Sequence, residues 1–587
     1  MVVSAEAATQ LQIANTEPGG RLRVPRSRRE WLPEGPLAWV ATGFALLLPL
    51  LVMRTAWAPG WTPKYAALGL EAAIGLPLTI ALVRSPARRV AVAALGFAAV
   101  ATISTLASDN PAMSFFGMEF WGTGLLFVVA LVGMWALGVC VGPRGSRSIE
   151  HALLIAVAVN CVVVAIEVFI DLSRIGVLTV NGQPAGLLGQ PVALGALLLG
   201  GFWLVGRRAA ASTAPTWLFA VAAIVACIEL AGERLPLVLI PVVIIVLWRH
   251  CSWRRVLLIG VSAILGLAVG GWAVGIGAAT PSASGRIAAD SGDAGRVENY
   301  VSAVHAIADR PVLGWGPGRY QAATSQYRTR ALESAGPDVL YADAHNSIAQ
   351  YGVTTGVVGL VFLGGWVLLA FRRAAGPLLG FAALVMIVQL LQPQDVSLTP
   401  LAFLALGAAG ALATPPARVV PVAVHALAIA AGIVFAGVIV VGGYREWNAA
   451  GGSYSDAIAV AKMLPHWPDR TVLAGAAILS SDEGTATDRV AAAREWSLQG
   501  IARDARDVRM YRNAALFDVL TDDPALAREH AEEGVRLSPY SPIALTNLAQ
   551  VQHQQGDDAS ARRSLQVALE IEPDYALAKQ MLATLNG

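Results

Sequence analysis

The residues best suited to chemistry in this chain gather in one polar stretch, 277–349, and in a few charges set among apolar runs. His345 stands in 343-DAHNSIAQYG, a loop-to-helix junction where Asn346 or Ser347 can cap the helix that follows. An imidazole with an ordinary pKa near ~6.5 can accept a hydroxyl proton at neutral pH. The plainer role is a helix-start histidine bonded to backbone. Arg296 heads the helical pattern of 293-DAGRVENYVSAVHAIADRP, Arg319 follows the turn cluster 313-LGWGPGRY, and Arg234 sits in the short hairpin 232-GER. A guanidinium is a permanent, planar cation whose fork suits anionic oxygens. Plainer roles exist for each: an ion pair of Arg296 with Asp293 or Glu298, worth about 0 to 1 kcal/mol, snorkelling of Arg234 to an interface, and a loosely constrained turn end for Arg319. His305, on the same helical pattern as Arg296, reads as structural. Glu71, Glu167 and Glu229 lie inside apolar runs, where an ionisable group implies function or a partner. For Glu229, Arg234 is the nearby partner. Asp395 has position alone to recommend it.

Composition says what solvent surrounds these groups. The chain has 587 residues, 56% hydrophobic and 14% charged, against about 25% charged in soluble domains. Water is therefore not the solvent for most of it. A net charge of +2 gives no global basic field for nucleic acid. Cys140, Cys161, Cys227 and Cys251 lie in apolar runs or at their ends, without metal-ligand spacing and without the look of a disulfide framework. Neither a GxxxxGK[ST] loop nor a dinucleotide loop in strand context is found, and no His/Asp/Glu cluster has metal spacing. No cofactor or metal is expected.

A membrane span needs roughly 20 mostly apolar residues. Thirteen stretches qualify, near 36–53, 64–83, 89–107, 122–141, 149–170, 191–206, 214–231, 235–249, 254–276, 350–371, 377–392, 400–414 and 421–442. Residues 1–35 are polar, carry Arg21, Arg23, Arg26, Arg28 and Arg29, and read as a disordered cytoplasmic tail. With that tail inside, the inner loops hold Arg84, Arg88 and Arg89, then Arg144 and Arg147, Arg207 and Arg208, Arg249, Arg254 and Arg255, Arg372 and Arg373, and Arg418. The alternate loops, 108-SDNPAMSFFGMEFW, 171–190, 232-GER, 277–349 and 393-PQDVSLTP, then face outward. That side carries every residue named above as suited to chemistry, apart from carboxylates in the outer halves of spans.

From about Tyr444 the chain becomes charged and Ala-rich, with a 34-residue period. Leu545, Leu548, Ala549, Gly556, Ala561, Leu565, Ala568 and Pro573 occupy the positions of a tetratricopeptide repeat, and Tyr511, Ala514, Ala515, Ala527, Ala531, Gly534 and Pro539 repeat them one period earlier. A looser repeat covers 471–504 and a half repeat 455–469. The expected fold is all-α: a polytopic membrane bundle of about 13 spans over 36–442, with the long loop 277–349, followed by an extracytoplasmic α-solenoid over 443–587. Such repeats bind protein or peptide, or act as a rigid cap on the domain beside them.

The Arg-headed loop helix, the "drPvlGwGpg.y" turn, the "aHNs..q.g...G..Gl" start of a span and the earlier 186-GLLGQPVALGALL together resemble the O-antigen ligase and O-antigen polymerase superfamily over roughly 36–442. The resemblance implies a glycosyltransferase of the cytoplasmic membrane. Its donor would be a glycan on undecaprenyl pyrophosphate, and its acceptor hydroxyl would belong to a glycan, lipid, protein or cell-wall component. It implies His345 as the catalytic residue and Arg234, Arg296 and Arg319 as pyrophosphate ligands, with Glu71 or Glu229 as an alternative base. The chain departs from the family pattern at Glu233, where a small polar residue is usual, at Tyr300, where Trp is frequent, and at Trp121, where Arg is common. Phe120 and Trp121 instead suit sugar stacking or an interfacial anchor. A different class, a transporter or non-enzymatic envelope scaffold, would favour span symmetry and midplane charges.

Cysteine labelling of intact cells checks the topology: Ser85→Cys should be shielded from outside reagent, while the repeats should be reachable. Outside labelling at position 85 would reverse the assignment.

Overall fold

The computed structural model describes residues 33–586 apart from 171, 178, 181, 278–282, 284–293, 340, 417–419 and 483. Expectations for the tail at 1–32, for Asp293 and for Arg418 lie outside the described residues. Among the described residues regular structure is helical, with one isolated bridge between Val180 and Gln183.

Each of the thirteen apolar stretches carries a helix: α1 (Pro36–Leu47), α2 (Thr62–Leu82), α3 (Arg88–Leu106), α4 (Leu125–Cys140), α5 (Gly142–Glu167), α6 (Pro191–Ala211), α7 (Thr216–Leu230), α8 (Arg234–Trp248) and α9 (Trp253–Gly277), then, beyond the loop helix α10 (Ala294–Asp309), α11 (Ser347–Arg373), α12 (Pro377–Gln389), α13 (Leu398–Ala409) and α14 (Val422–Ala450). Seven are long and apolar enough to cross a membrane, and six are shorter apolar helices. The expectation of about 13 spans is therefore met in position but in length by seven. A helix of 12 residues such as α13 rises only about 18 Å, short of a hydrocarbon core of about 30 Å. Burial explains how short helices persist. Leu398 to Ala408 of α13 are all buried, as is every residue of α4 except Val129, so these helices meet protein rather than lipid. Close approach is made by small residues: a Cβ on Gly75 of α2 would lie 2.1 Å from the Gly133 Cα of α4.

The basic loops gather at one end of the bundle, where Arg373 donates to the Pro86 carbonyl (3.1 Å) and Arg208 pairs with Glu150 (2.6 Å). The loops at 108–122 and 294–346 gather at the other end with the C-terminal helices. Helix α14 runs unbroken through 442–443 and leads into Tyr454–Met463, then into packed pairs Pro468–Leu479 with Ala486–Arg503, Val508–Leu520 with Pro524–Leu537, and Pro542–Gln554 with Asp558–Ile571, closed by Ala576–Asn586. The alanines of the repeat pattern, Ala493, Ala514, Ala515, Ala527, Ala531, Ala549, Ala561 and Ala568, are buried between helices, as the pattern requires.

Helix α11 is broken. Gly356 has φ 66° and ψ −173° inside it, so the bonds that Val357 and Val358 N–H would make to the Val353 and Thr354 carbonyls are lost. The segment 311–316 replaces them. Trp315 and Gly316 N–H donate to Val353 O and Thr354 O (both 2.9 Å), while Val357 and Val358 N–H donate to Pro311 O (2.8 Å) and Val312 O (3.4 Å). Ser104 of α3 adds its hydroxyl to Leu313 O (2.6 Å) and Thr354 O (2.9 Å). Irregular backbone is admissible in a membrane protein when every polar group finds such a partner. A Cβ at Gly356 would meet Val312 O at 2.3 Å.

Gly356→Ala should therefore lose about 1–3 kcal/mol from backbone strain alone, and more from the clash, seen as a lower apparent melting temperature in detergent. Gly364→Ala, whose Cβ would meet nothing within 4 Å, should leave it unchanged. Equal behaviour of the two variants would refute the docking of 311–316 into the break.

Candidate functional site

The start of α11 is built so that each turn of backbone has its partner. Asn346 caps the helix by accepting from Ile348 N–H (2.9 Å) and Ala349 N–H (3.0 Å). Ala344 N–H donates to Gln350 Oε1 (3.0 Å), His345 N–H donates to Asp343 Oδ1 (2.6 Å), and Ser347 Oγ donates to the Gln389 carbonyl at the end of α12 (2.6 Å). Between these bonds His345 is held at φ 53°, a left-handed conformation that a non-glycine residue adopts only when its surroundings impose it.

The His345 side chain is 27% exposed. Its Nδ1 lies 3.3 Å from the Asp343 carbonyl and 3.9 Å from Asp343 Oδ1. A carbonyl oxygen can only accept, so this contact selects the Nδ1–H tautomer and leaves the lone pair on Nε2. Trp121 lies with its ring centroid 6.3 Å from the imidazole, and Tyr300 of α10 donates to the His345 carbonyl (3.5 Å). Burial lowers the His345 pKa below its ordinary value, opposed by the hydrogen bond that its ring donates to the Asp343 carbonyl and reinforced by the Arg296 charge. The neutral form, which can accept a proton, is thereby favoured. Burial pushes the Asp343 carboxyl up to about 7, against the hydrogen bond from His345.

The structure thus brings together His345, Arg296 and Trp121, three residues that lie far apart in sequence. Arg234 is half-buried and opens α8, with Glu233 before it in the N-cap position. Glu229 is fully buried against α9, where a Cβ on Gly270 would meet its Cβ at 2.8 Å. Glu71 is buried in α2, and its carboxylate oxygens accept no hydrogen bond among the described residues. Glu167 accepts the Gly186 N–H (2.9 Å) and, with Asn160 and Lys64, satisfies the backbone of the 186-GLLG turn. Asp395 caps α13 through Ser397 and Leu398 N–H (both 2.8 Å). His305 is exposed on α10, its ring 5.9 Å from that of Tyr327.

Arg319 departs from its expected role. It is 3% exposed, and both terminal nitrogens of its fork are engaged by the Asp504 carboxylate, Nη2 to Oδ1 at 2.9 Å. The acidic partner lies in the repeat region, 185 residues away, which sequence spacing gave no reason to expect. Nearby, Trp315 is sandwiched between Arg310 (4.0 Å) and Arg506 (4.5 Å), both of which bond to Asp109 (2.9 and 2.8 Å). Asp343 is not among the carboxylates that the sequence singles out. A signal for it existed, since an Asp two residues before an N–H can bond it in an Asx-turn.

Residues 218–364 match the O-antigen ligase family. The O-antigen ligase match takes in Arg234, Arg296, His345 and the Gly356 break. No curated protein matches the chain. Among solved structures, a chain of the APC/C hetero-tetramer Cut9–Hcn1 aligns at 11% identity over 79% of this chain and 77% of that one, with a TM-score of 0.23. At that score the likeness carries no argument.

Removing one partner of the Arg319–Asp504 pair strands a buried charge, so Asp504→Asn should cost about 3–5 kcal/mol, whereas Arg319→Met with Asp504→Leu should be close to neutral. Thermal unfolding measures both. Glycan transfer by the double variant at wild-type donor KM would confirm that Arg319 braces the repeats. A raised donor KM in that variant would return Arg319 to the anion-binding role expected from the sequence.

Proposed function

We propose that this protein transfers or polymerises glycan from an undecaprenyl-pyrophosphate carrier onto an acceptor hydroxyl at the outer face of the cytoplasmic membrane. The observation that carries the reading is the setting of His345, an imidazole beside Arg296 and Trp121 whose pKa burial lowers, within the segment that matches the O-antigen ligase family. In this scheme the acceptor oxygen attacks the anomeric carbon while the bond from that carbon to the pyrophosphate oxygen breaks, and the electron pair leaves with the polyprenyl pyrophosphate. The hydroxyl proton passes to His345 Nε2. Arg296 and Arg234 hold the pyrophosphate, so its charge is met by guanidinium groups rather than by a metal. Trp121 offers a face on which a sugar ring stacks. Ligase and polymerase differ here only in the acceptor. The repeats are proposed to bind protein or peptide through surfaces turned away from the loop they brace.

A defined lipid-pyrophosphate glycan and candidate acceptors, supplied to the purified protein, test the scheme. His345→Asn, chosen because Asn tolerates left-handed backbone, should lower turnover by about 10²- to 10⁴-fold. A base must be neutral, so wild-type activity should rise with pH through a midpoint below the ordinary histidine value and level off by neutrality. A falling profile would make His345 a proton donor to the leaving group instead. Arg234→Lys and Arg296→Lys should weaken donor engagement by about 2–5 kcal/mol. Wild-type turnover in His345→Asn together with its loss in Glu71→Gln or Glu229→Gln would move the base to a carboxylate in the bundle.

A further inference from the structure

Asp343 is the buried acid that the scheme above leaves unused. It is 1% exposed, and its two oxygens have different circumstances: Oδ1 accepts the His345 N–H at 2.6 Å, whereas Oδ2 accepts no hydrogen bond among the described residues. A buried carboxylate with an orphaned oxygen is costly unless a cation comes to it. The His345 imidazole can become one, and its Nδ1 lies 3.3 Å from the Asp343 carbonyl and 3.9 Å from Oδ1.

Resting on the reading of His345 as the base, we infer that Asp343 is its positioning residue and counter-charge, the two forming an acid–histidine dyad from positions i and i+2 of one turn. The Asp343 carbonyl fixes the Nδ1–H tautomer, and its Oδ1 holds the backbone that aims the ring. When Nε2 takes the acceptor proton, the new positive charge is shared with Nδ1–H and faces the Asp343 carboxylate. The proton count is unchanged: one leaves the acceptor oxygen and one arrives at Nε2, and Asp343 neither gains nor loses one. The other groups facing the pair are Arg296 and Tyr300 from α10, Tyr320 from the short helix Tyr320–Thr324, and Tyr351 from α11. Arg296 opposes an imidazolium, which makes a nearby carboxylate the more necessary. Burial raises Asp343 to about 7, and a positive charge arriving on the imidazole favours its ionised form.

Asp343→Asn keeps an oxygen for the His345 N–H and removes only the charge. Its full-length protein should fold with an unchanged melting temperature and donor KM, lose about 10²-fold in kcat, and show an acid limb of the rate profile shifted to lower pH, because an imidazolium without its counter-charge gives up its proton more readily. Unchanged kcat and an unchanged limb, with His345→Asn inactive, would overturn the dyad while leaving the base assignment standing. Full activity of His345→Asn would instead overturn the base assignment. If Asp343→Asn does not fold, nitrogen-15 resonances of His345 in the wild-type protein decide: an Nδ1–H tautomer supports the dyad, and an Nε2–H tautomer refutes it.

Discussion

The break in α11 at Gly356 is the constraint on which the site end of the molecule depends. A helix interrupted within an apolar bundle leaves donors and acceptors that lipid cannot satisfy, and here the backbone of 311–316 supplies the missing partners. The exchange ties three remote stretches together, because the Ser104 hydroxyl of α3 bonds to the Thr354 carbonyl at the break and to Leu313 O in the docked segment. Glycine is required on both sides: Gly356 adopts φ 66°, and a Cβ on Gly314 would lie 2.5 Å from the Val353 carbonyl. The first turns of α11, with Asn346 and His345 ahead of them, are thereby anchored to the loop.

The repeats extend this anchoring. Arg319, directly after the docked turn, is clasped by Asp504, and Trp315 within the turn lies between Arg310 and Arg506 over Asp109. Further along the same interface Trp467 donates to the Gly117 carbonyl (2.8 Å) and Arg470 bonds to Glu119 (3.0 Å), close to Trp121 in sequence. The C-terminal helices therefore touch both loops that line His345. A buried ion pair adds little net stability over an apolar pair but penalises any arrangement that separates its members. These contacts specify one placement of the loops.

The acidic and basic groups of the apolar stretches divide by whether their bonding is complete. Lys64, Asn160 and Glu167 are bound to the backbone of the 186-GLLG turn, which accounts for a buried Lys and for the Gly-rich motif by architecture alone. Asp395 is likewise complete as a helix cap. Among the described residues, Glu71 and Asp343 are the buried carboxylates with orphaned oxygens. Of the two, Asp343 lies against the imidazole.

The sequence by itself determined the helical class, the places of the apolar helices, the period of the repeats and the residue types at His345, Arg296 and Arg234. These properties are local or periodic: hydropathy over a span, Ala and Gly at fixed offsets, a capping Asn after a histidine. Only the tertiary structure decided where the short helices begin and end and that α4 and α13 are enclosed by protein, because enclosure turns on which neighbours surround them. It also decided that Arg319 belongs to Asp504 and that Trp121 stands beside His345, since both depend on chain segments brought together from far apart. Asp343 lies between these cases. Its spacing to His345 was legible, but its burial, which gives the carboxylate its consequence, exists only once α10, α11 and the loop close over it.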